Sequence, residues 1–125
     1  MSNELTKATI LAADDISLEM VEVPEWGGHL YVRTMDGTAR DEYDQEQYEA
    51  MTKAREANPD GDTLPNMRAR MVASCACDKD SNLLFSMADV VVLAAKSGTA
   101  LDRVWDVCRR LNRLSAEDIE ELAGN

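Results

Sequence analysis

Residues 16–34 read ISLEMVEVPEWGGHLYVRT, and this stretch decides the fold class of the 125-residue chain. Residues 16–23 alternate apolar and polar side chains, and residues 29–34 form a second run rich in β-formers. The loop between them, 24–28, contains one proline and two glycines. Two such runs joined by a short loop predict a β-hairpin. A lone hairpin is only marginally stable in water, so it must pack against the rest of the chain.

The rest of the chain has the apolar spacing and the start signals of helices. We predict a short helix at 5–13 and a helical part over 38–122, with helices at 38–56, 64–76, 87–95, 99–113 and 115–122. Three of the predicted starts are Thr38 with Asp41, Ser86 with Asp89, and Thr99 with Asp102. No linker or repeat divides the chain. The sequence therefore predicts one mostly helical α+β domain over residues 1–125, with an N-terminal hairpin at 16–34.

Apolar stripes predict how deeply each helix is buried. The clearest stripe belongs to the helix at 99–113 and predicts that these residues lie in the core: Leu101, Val104, Trp105, Cys108 and Leu111. The apolar run at 90–95 predicts a short helix buried on most sides. The helix at 38–56 has a thin stripe of Tyr43, Tyr48 and Met51, so we expect it to be mostly exposed.

The charge of the chain is strongly acidic and unevenly distributed. Thirteen Lys and Arg stand against 24 Asp and Glu, a net charge of −11, which argues against nucleic acid as a partner. Residues 1–62 hold 15 acidic and five basic residues, a net of −10, whereas residues 63–125 hold nine and eight, a net of −1. An acidic half keeps a protein in solution and steers basic partners toward it, although a solvated face without a partner fits equally well.

The N-terminus lacks the basic and apolar pattern of a secretory signal, and no apolar run approaches the roughly 20 residues that span a bilayer. We therefore expect a cytoplasmic protein that does not bind membranes. Its three cysteines, Cys75, Cys77 and Cys108, are expected to be reduced thiols.

Neither the single histidine nor the cysteines predict a catalytic or zinc site. His29 lies at the start of a predicted strand, with no Ser or Cys near enough in the sequence to form a dyad. Structural zinc needs four ligands at paired spacings, which Cys75-Ala76-Cys77 and Cys108 do not supply. Cys75 and Cys108 instead fall on apolar helix stripes, where a free cysteine acts as a small hydrophobic residue.

A calcium loop is also not expected. Asp78, Asp80 and Asn82 match its positions 1, 3 and 5, and Asp89 falls at position 12. Position 6, however, is Leu83 where glycine is required, and position 12 lacks the bidentate glutamate. With no Gly-rich phosphate loop either, the sequence predicts a protein that is not an enzyme and has no cofactor, no metal and no catalytic residues.

A resemblance to a known family runs along nearly the whole chain. Segments in the same order resemble the tail assembly chaperones of long-tailed (siphovirus-like) bacteriophages and prophages: ILAADD (10–15), VEVPEWGG (21–28), LYVR (30–33), NMRARMVA (66–73), AAKS (94–97), ALDR (100–103), LNRLSAED (111–118) and EEL (120–122). Each segment alone is weak, whereas the ordered set is fairly specific.

The resemblance implies a non-catalytic binding role in phage tail assembly. Family members keep the long helical tape measure protein in solution in the host cytoplasm, help bring tail tube subunits to it, and leave before the virion is complete. Many exist in two forms, the longer one made by a programmed frameshift, and this chain resembles the short form. The alternatives are another small phage adaptor, such as a head–tail connector component, and an acidic inhibitor that mimics DNA.

Trp26 is the one candidate partner-binding residue. It lies in a loop flanked by proline and glycine, where a large aromatic side chain has little local core to enter. One interpretation is that its indole folds over the hairpin or onto a helix. The other is that it contacts the tape measure protein or a second copy of this chain, because tryptophan is a favoured interface anchor.

Overall fold

A computed structural model describes residues 3–61 and 63–114. Its helices and strands follow in the order α1 (Lys7–Ala12), β1 (Leu18–Val23), β2 (Gly28–Arg33), α2 (Gly37–Ala57), α3 (Met67–Cys75), β3 (Ala76–Cys77), α4 (Val90–Ala94) and α5 (Gly98–Leu111). The predicted α+β class, mostly helical with a hairpin near the N-terminus, is confirmed. The predicted helix at 115–122 lies outside the described residues.

The hairpin has the predicted position and a regular antiparallel register. Val21 pairs with Leu30, and Val23 pairs with Gly28 at the closed end. Pro24–Trp26 forms a single 3-10 turn, which Gly27 closes by donating its backbone N–H to the Pro24 carbonyl oxygen at 3.0 Å. Gly27 has a φ of +78°, a conformation that glycine adopts without steric cost, so this glycine determines the geometry of the turn.

The sheet contains a third strand that the sequence did not predict. Two residues directly after α3 pair with β2, Ala76 with Val32 and Cys77 with Tyr31, which gives the strand order β1-β2-β3. The helix predicted at 64–76 ends at Cys75, because the chain continues as strand β3. It also begins later than predicted, at Met67. A two-residue strand that is buried on both faces has no alternation to reveal it.

The core lies between the inner face of the hairpin and two helices. Val21, Val23, Leu30 and Val32 face helix α5, and α3 packs beside α5. Among the residues predicted as core, three are fully buried: Leu101, Val104 and Cys108. Trp105 and Leu111 are only partly buried and pack at the edge of the core, so their predicted full burial was wrong.

The prediction that the 90–95 segment is buried on most sides was also wrong. Helix α4 has five residues, of which Val90 and Leu93 are buried and Ala94 packs at the edge of the core. Val91 and Val92 point outward, with 74% and 68% of their surface exposed. Hydrophobicity alone does not show on how many sides a one-turn helix is covered.

Helix α2 and helix α5 each begin earlier than predicted. Asp36 accepts the backbone N–H of Ala39 at 2.8 Å and caps α2 in place of Thr38. Ser97 accepts the N–H of Ala100 at 3.2 Å and caps α5 in place of Thr99. The predicted box of Ser86 and Asp89 is confirmed, at the 3-10 turn that leads into α4.

Helix α2 is mostly exposed, as predicted, and contacts the rest of the fold along one narrow side. Its buried residues are Tyr43, Gln47, Ala50 and Met51, whereas Tyr48 is exposed. Within the described residues, no helix is long and apolar enough to cross a membrane.

Candidate peptide-binding groove

A groove lies between helix α2 and the segment 83–87, with helix α3 as its floor. It has a volume of about 280 Å³. Its lining is mainly apolar and consists of Ala39, Tyr43, Ala73, Leu83, Phe85 and Met87, together with the polar residues Glu42, Glu46, Ser74 and Ser86. We call this the α2 groove.

The α2 side of this groove carries two carboxylates on consecutive turns. Glu42 and Glu46 are four residues apart and therefore lie on the same face of α2. Within the described part of the chain, neither carboxylate takes part in an ion pair or a side-chain hydrogen bond, unlike the nearby Asp44, which lies 3.7 Å from Arg40. Both are thus available to a cation that enters the groove.

The groove wall on the α2 side is held in place by Tyr43. Its side chain is 2% exposed and packs into the main core, which fixes the register of α2 over α3. Burial raises the pKa of the Tyr43 hydroxyl well above its usual value, so the side chain is neutral at physiological pH. A neutral, anchored ring leaves the charge of the groove to Glu42 and Glu46.

The opposite wall is held by a tight turn after β3. The Asp78 carboxylate accepts the backbone N–H groups of Asp80 at 2.8 Å and of Asn82 at 3.0 Å. The chain then returns along β3, where the Leu84 N–H donates to the Ala76 carbonyl oxygen at 3.0 Å. This reversal places Phe85 opposite α2.

The same turn accounts for the residues that resembled a calcium loop. The backbone hydrogen bond from Asn82 lowers the pKa of Asp78, whose oxygens are occupied within the turn. Asp89 accepts the N–H of Ser86 at 2.8 Å. Among the described residues, no group of three or more His, Cys, Asp or Glu side chains could hold a metal ion.

His29 lines the same shallow cavity as Cys77, whereas Cys75 and Cys108 lie in the main core. His29 is exposed on β2, where its ring meets Tyr31 edge-on with a centroid distance of 5.7 Å. Cys75, Cys77 and Cys108 are all buried and free. Burial raises the pKa of the Cys108 thiol, and its contact with Cys75 raises it further, which opposes thiolate chemistry.

Trp26 lies at the tip of the hairpin, in the 3-10 turn between β1 and β2. Its indole is partly buried and packs against the main core. Next to it, Glu25 binds Arg103 of α5 through two oxygens at 2.9 and 3.1 Å, which joins the hairpin tip to that helix. The indole thus has a structural role, and contact of its exposed part with a partner stays a prediction.

The α2 groove was not predicted from the sequence. Its walls come from positions more than 35 residues apart in the chain, 39–46 and 83–87. Two signals were present: two glutamates at helical spacing beside a tyrosine, and Phe85, the only phenylalanine, directly after a polar turn. Comparison with known proteins finds no matching family model, no similar curated protein and no similar solved structure.

Proposed function

We propose that this chain is a non-catalytic tail assembly chaperone that binds basic, amphipathic segments of a helical tape measure protein in the α2 groove. The observation that carries this proposal is the apolar groove bordered by the unpaired carboxylates of Glu42 and Glu46. The ordered resemblance of the sequence to phage tail assembly chaperones supports the identity of the partner.

The chemistry of the groove matches a helix that presents an apolar side chain with Lys or Arg one turn away. The apolar residue would lie against Phe85 and Met87, and the cation would lie between Glu42 and Glu46. Methionine is a flexible and polarizable side chain, so the wall that contains Met87 accommodates more than one type of apolar side chain. Such tolerance suits a partner that presents many similar segments.

The small size of the groove predicts weak, reversible binding. Burial of one Leu-sized side chain contributes about 1.5–3 kcal/mol. An exposed ion pair adds about 0–1 kcal/mol. One groove therefore binds one segment weakly. Several copies of this chain, each bound to its own segment, would cover the long partner, and each copy could still dissociate when the tail is packed.

The proposal includes the remaining features that the resemblance implies. The chaperone acts in the host cytoplasm, helps to recruit tail tube protein through a longer frameshifted form, and is absent from the mature virion. Mass spectrometry of purified particles distinguishes it from a head–tail connector, which persists in the virion. A DNA-mimic inhibitor is the less favoured alternative, because Arg40, Lys53 and Arg55 interrupt the acidic surface of α2.

Co-expression with the candidate tape measure protein tests the proposal. The resemblance implies that this partner is a very long, largely helical chain. We expect the tape measure protein to stay in the supernatant when it is co-expressed with the parent chain. It should sediment when it is co-expressed with the Phe85→Ala variant, and circular dichroism must show that this variant is folded. Equal sedimentation of the tape measure protein with and without the parent chain would overturn the proposal.

A further inference from the structure

Residues 78–87 form a loop that carries the second wall of the α2 groove. The loop leaves strand β3, reverses in a turn and returns, so that Leu83, Phe85 and Met87 line the groove. Beside β3, Leu83 pairs with Cys77 in a single antiparallel bridge. The position of the wall therefore depends on what holds the turn from which it returns.

The turn has a strained backbone at Ser81 and is closed by its own hydrogen bonds. Ser81 has a φ of +70°, in the left-handed region that residues with a side chain rarely adopt. Its N–H donates to the Asp78 carbonyl oxygen at 3.0 Å, and the Asp78 carboxylate accepts the N–H groups of Asp80 and Asn82. Because all these partners lie within 78–82, they shape the turn without joining it to the rest of the fold.

The side chain of Arg33, on strand β2, joins this turn to the sheet. Its Nη1 donates to the Ser81 carbonyl oxygen at 2.8 Å, in a partly buried hydrogen bond between positions 48 residues apart. Among the described residues, this is the only side-chain hydrogen bond that reaches 78–87 from another element. A charged donor makes a stronger hydrogen bond than a neutral one, so the contact is a substantial part of what holds the turn.

The Arg33 guanidinium has no carboxylate partner within the part of the chain that the structure describes. The side chain is half-buried, and its Nε is buried without an acceptor among the same residues. A partly buried cation is costly unless hydrogen bonds compensate it. The Ser81 carbonyl oxygen is the acceptor that this cation has, so Arg33 is placed for the turn and not for a salt bridge.

We propose that Arg33 is a positioning residue of the α2 groove, although it does not line the groove itself. By holding the Ser81 carbonyl group it fixes the turn, and the turn fixes the wall that faces helix α2. For the ligand, an amphipathic basic helix, this inference rests on the proposed function. It adds that the apolar contact of that ligand depends on a cation outside the groove, whereas its contact with Glu42 and Glu46 does not.

Hydrogen exchange of the full chain, measured without any ligand, tests whether Arg33 positions the wall. The Leu84 N–H, which donates to the Ala76 carbonyl oxygen at 3.0 Å, reports on the returning segment. Arg33→Met removes the donor and keeps an apolar stem. We expect this variant to exchange at least about tenfold faster across 83–87, while the amides of α5 stay protected. Lys79→Met removes the same charge from the turn itself and should change the exchange by less than about twofold.

Peptide binding, followed by fluorescence anisotropy, tests the consequence for the groove. The probes are a labelled amphipathic helical peptide with leucines and lysines, and the same peptide with alanine in place of leucine. The parent chain should bind the leucine peptide at least about tenfold more tightly than the alanine peptide. Arg33→Met should reduce this ratio to below about threefold and leave the salt dependence of binding, which reports on Glu42 and Glu46, unchanged. Arg33→Lys retains a donor and should restore most of the ratio.

Three results would overturn the positioning role of Arg33. The first is exchange across 83–87 that is unchanged in Arg33→Met or equally fast in Lys79→Met. The second is a leucine-to-alanine ratio that stays at the parent value although the wall exchanges faster. The third is a loss of protection throughout Arg33→Met, because the side chain would then hold the whole fold. A parent chain that binds neither peptide would contradict the proposed function, whereas the exchange result would still decide whether Arg33 positions the wall.

Discussion

The side-chain oxygen of Asn112 lies 2.6 Å from the backbone nitrogen of Met35, and this hydrogen bond joins the end of the hairpin to the end of helix α5. The same side chain donates from its amide nitrogen to the carbonyl oxygens of Cys108 at 3.0 Å and Arg33 at 3.3 Å. Asn112 is 6% exposed, so solvent cannot replace these partners.

Changing Asn112 to Ala should therefore destabilise the fold substantially. The substitution leaves the buried Met35 N–H without its acceptor, and an unsatisfied buried group costs about 1–3 kcal/mol. It also removes one donor from the carbonyl oxygens of Arg33 and Cys108, although Cys108 still accepts the backbone N–H of residue 112. We expect the free energy of unfolding in urea to fall by about 3 kcal/mol, with Gln45→Ala as an exposed control that changes it by less than about 0.5 kcal/mol. A loss at the Asn112 site no larger than the control would show that the hydrogen bonds contribute little.

Trp105 should contribute less to stability than its place on the apolar stripe predicts. Its ring is partly buried, and the Arg68 guanidinium carbon lies 5.8 Å from the ring centroid. We expect Trp105→Ala to cost less than the roughly 3–5 kcal/mol of a fully buried tryptophan. A double-mutant cycle with Arg68→Ala should give a coupling energy of about 0.5–1 kcal/mol. Zero coupling would mean that the guanidinium only lies near the ring.

The ion pair of Glu25 and Arg103 predicts a pH-dependent contribution to stability. The hydrogen bond from Arg103 lowers the pKa of Glu25 from its usual 4.5. A carboxyl with a lowered pKa stabilises the fold above its ordinary pKa and loses this contribution as the pH falls through the lowered value. Glu25→Gln should therefore melt below the parent at neutral pH, and the gap in Tm should close in acid and shrink in high salt. A gap of constant size across the titration would contradict this origin.

Trp26→Ala separates a structural role from a binding role. Because the indole packs against the core, we expect the melting temperature to fall. If its exposed part also anchors a partner, the folded variant should lose about 2 kcal/mol of binding energy, a typical hot-spot value. Thermal unfolding measures the stability of the variant. Co-purification measures its binding to the tape measure protein, and light scattering measures its self-association. A folded variant that binds and self-associates like the parent would make the interface prediction wrong.

The hairpin and the helical remainder were readable from the sequence because local patterns determine them. Each of these patterns is contained in one local element. The alternation at 16–23 belongs to one strand, the Gly27 turn to one loop, and the apolar stripe to helix α5. The sequence failed where a short element depends on its surroundings. Strand β3 forms because it can pair with the free edge of β2, and Val91 is exposed because none of the described residues covers α4 on that side.

Two further physical reasons explain why the sequence did not predict the helix caps and the α2 groove correctly. Asp36 and Ser97 each stand two residues before a threonine that is an equally good cap, and the tertiary path of the chain decides between them. The α2 groove depends on three elements meeting in space. Glu42 and Phe85 have no local relationship, so no single-sequence pattern brings them together.

Direct peptide binding to the α2 groove tests the central claim. The probe is a fluorescein-labelled amphipathic helical peptide with a leucine stripe and lysines one turn away, followed by fluorescence anisotropy. Glu42→Lys with Glu46→Lys reverses the groove charges, and Glu49→Lys with Glu56→Lys makes the same change in net charge on α2 outside the groove. We expect the groove variant to weaken binding by at least about tenfold, the control by less than about twofold, and a peptide with glutamates in place of lysines not to bind. Equal binding of the lysine peptide to both variants would contradict the account.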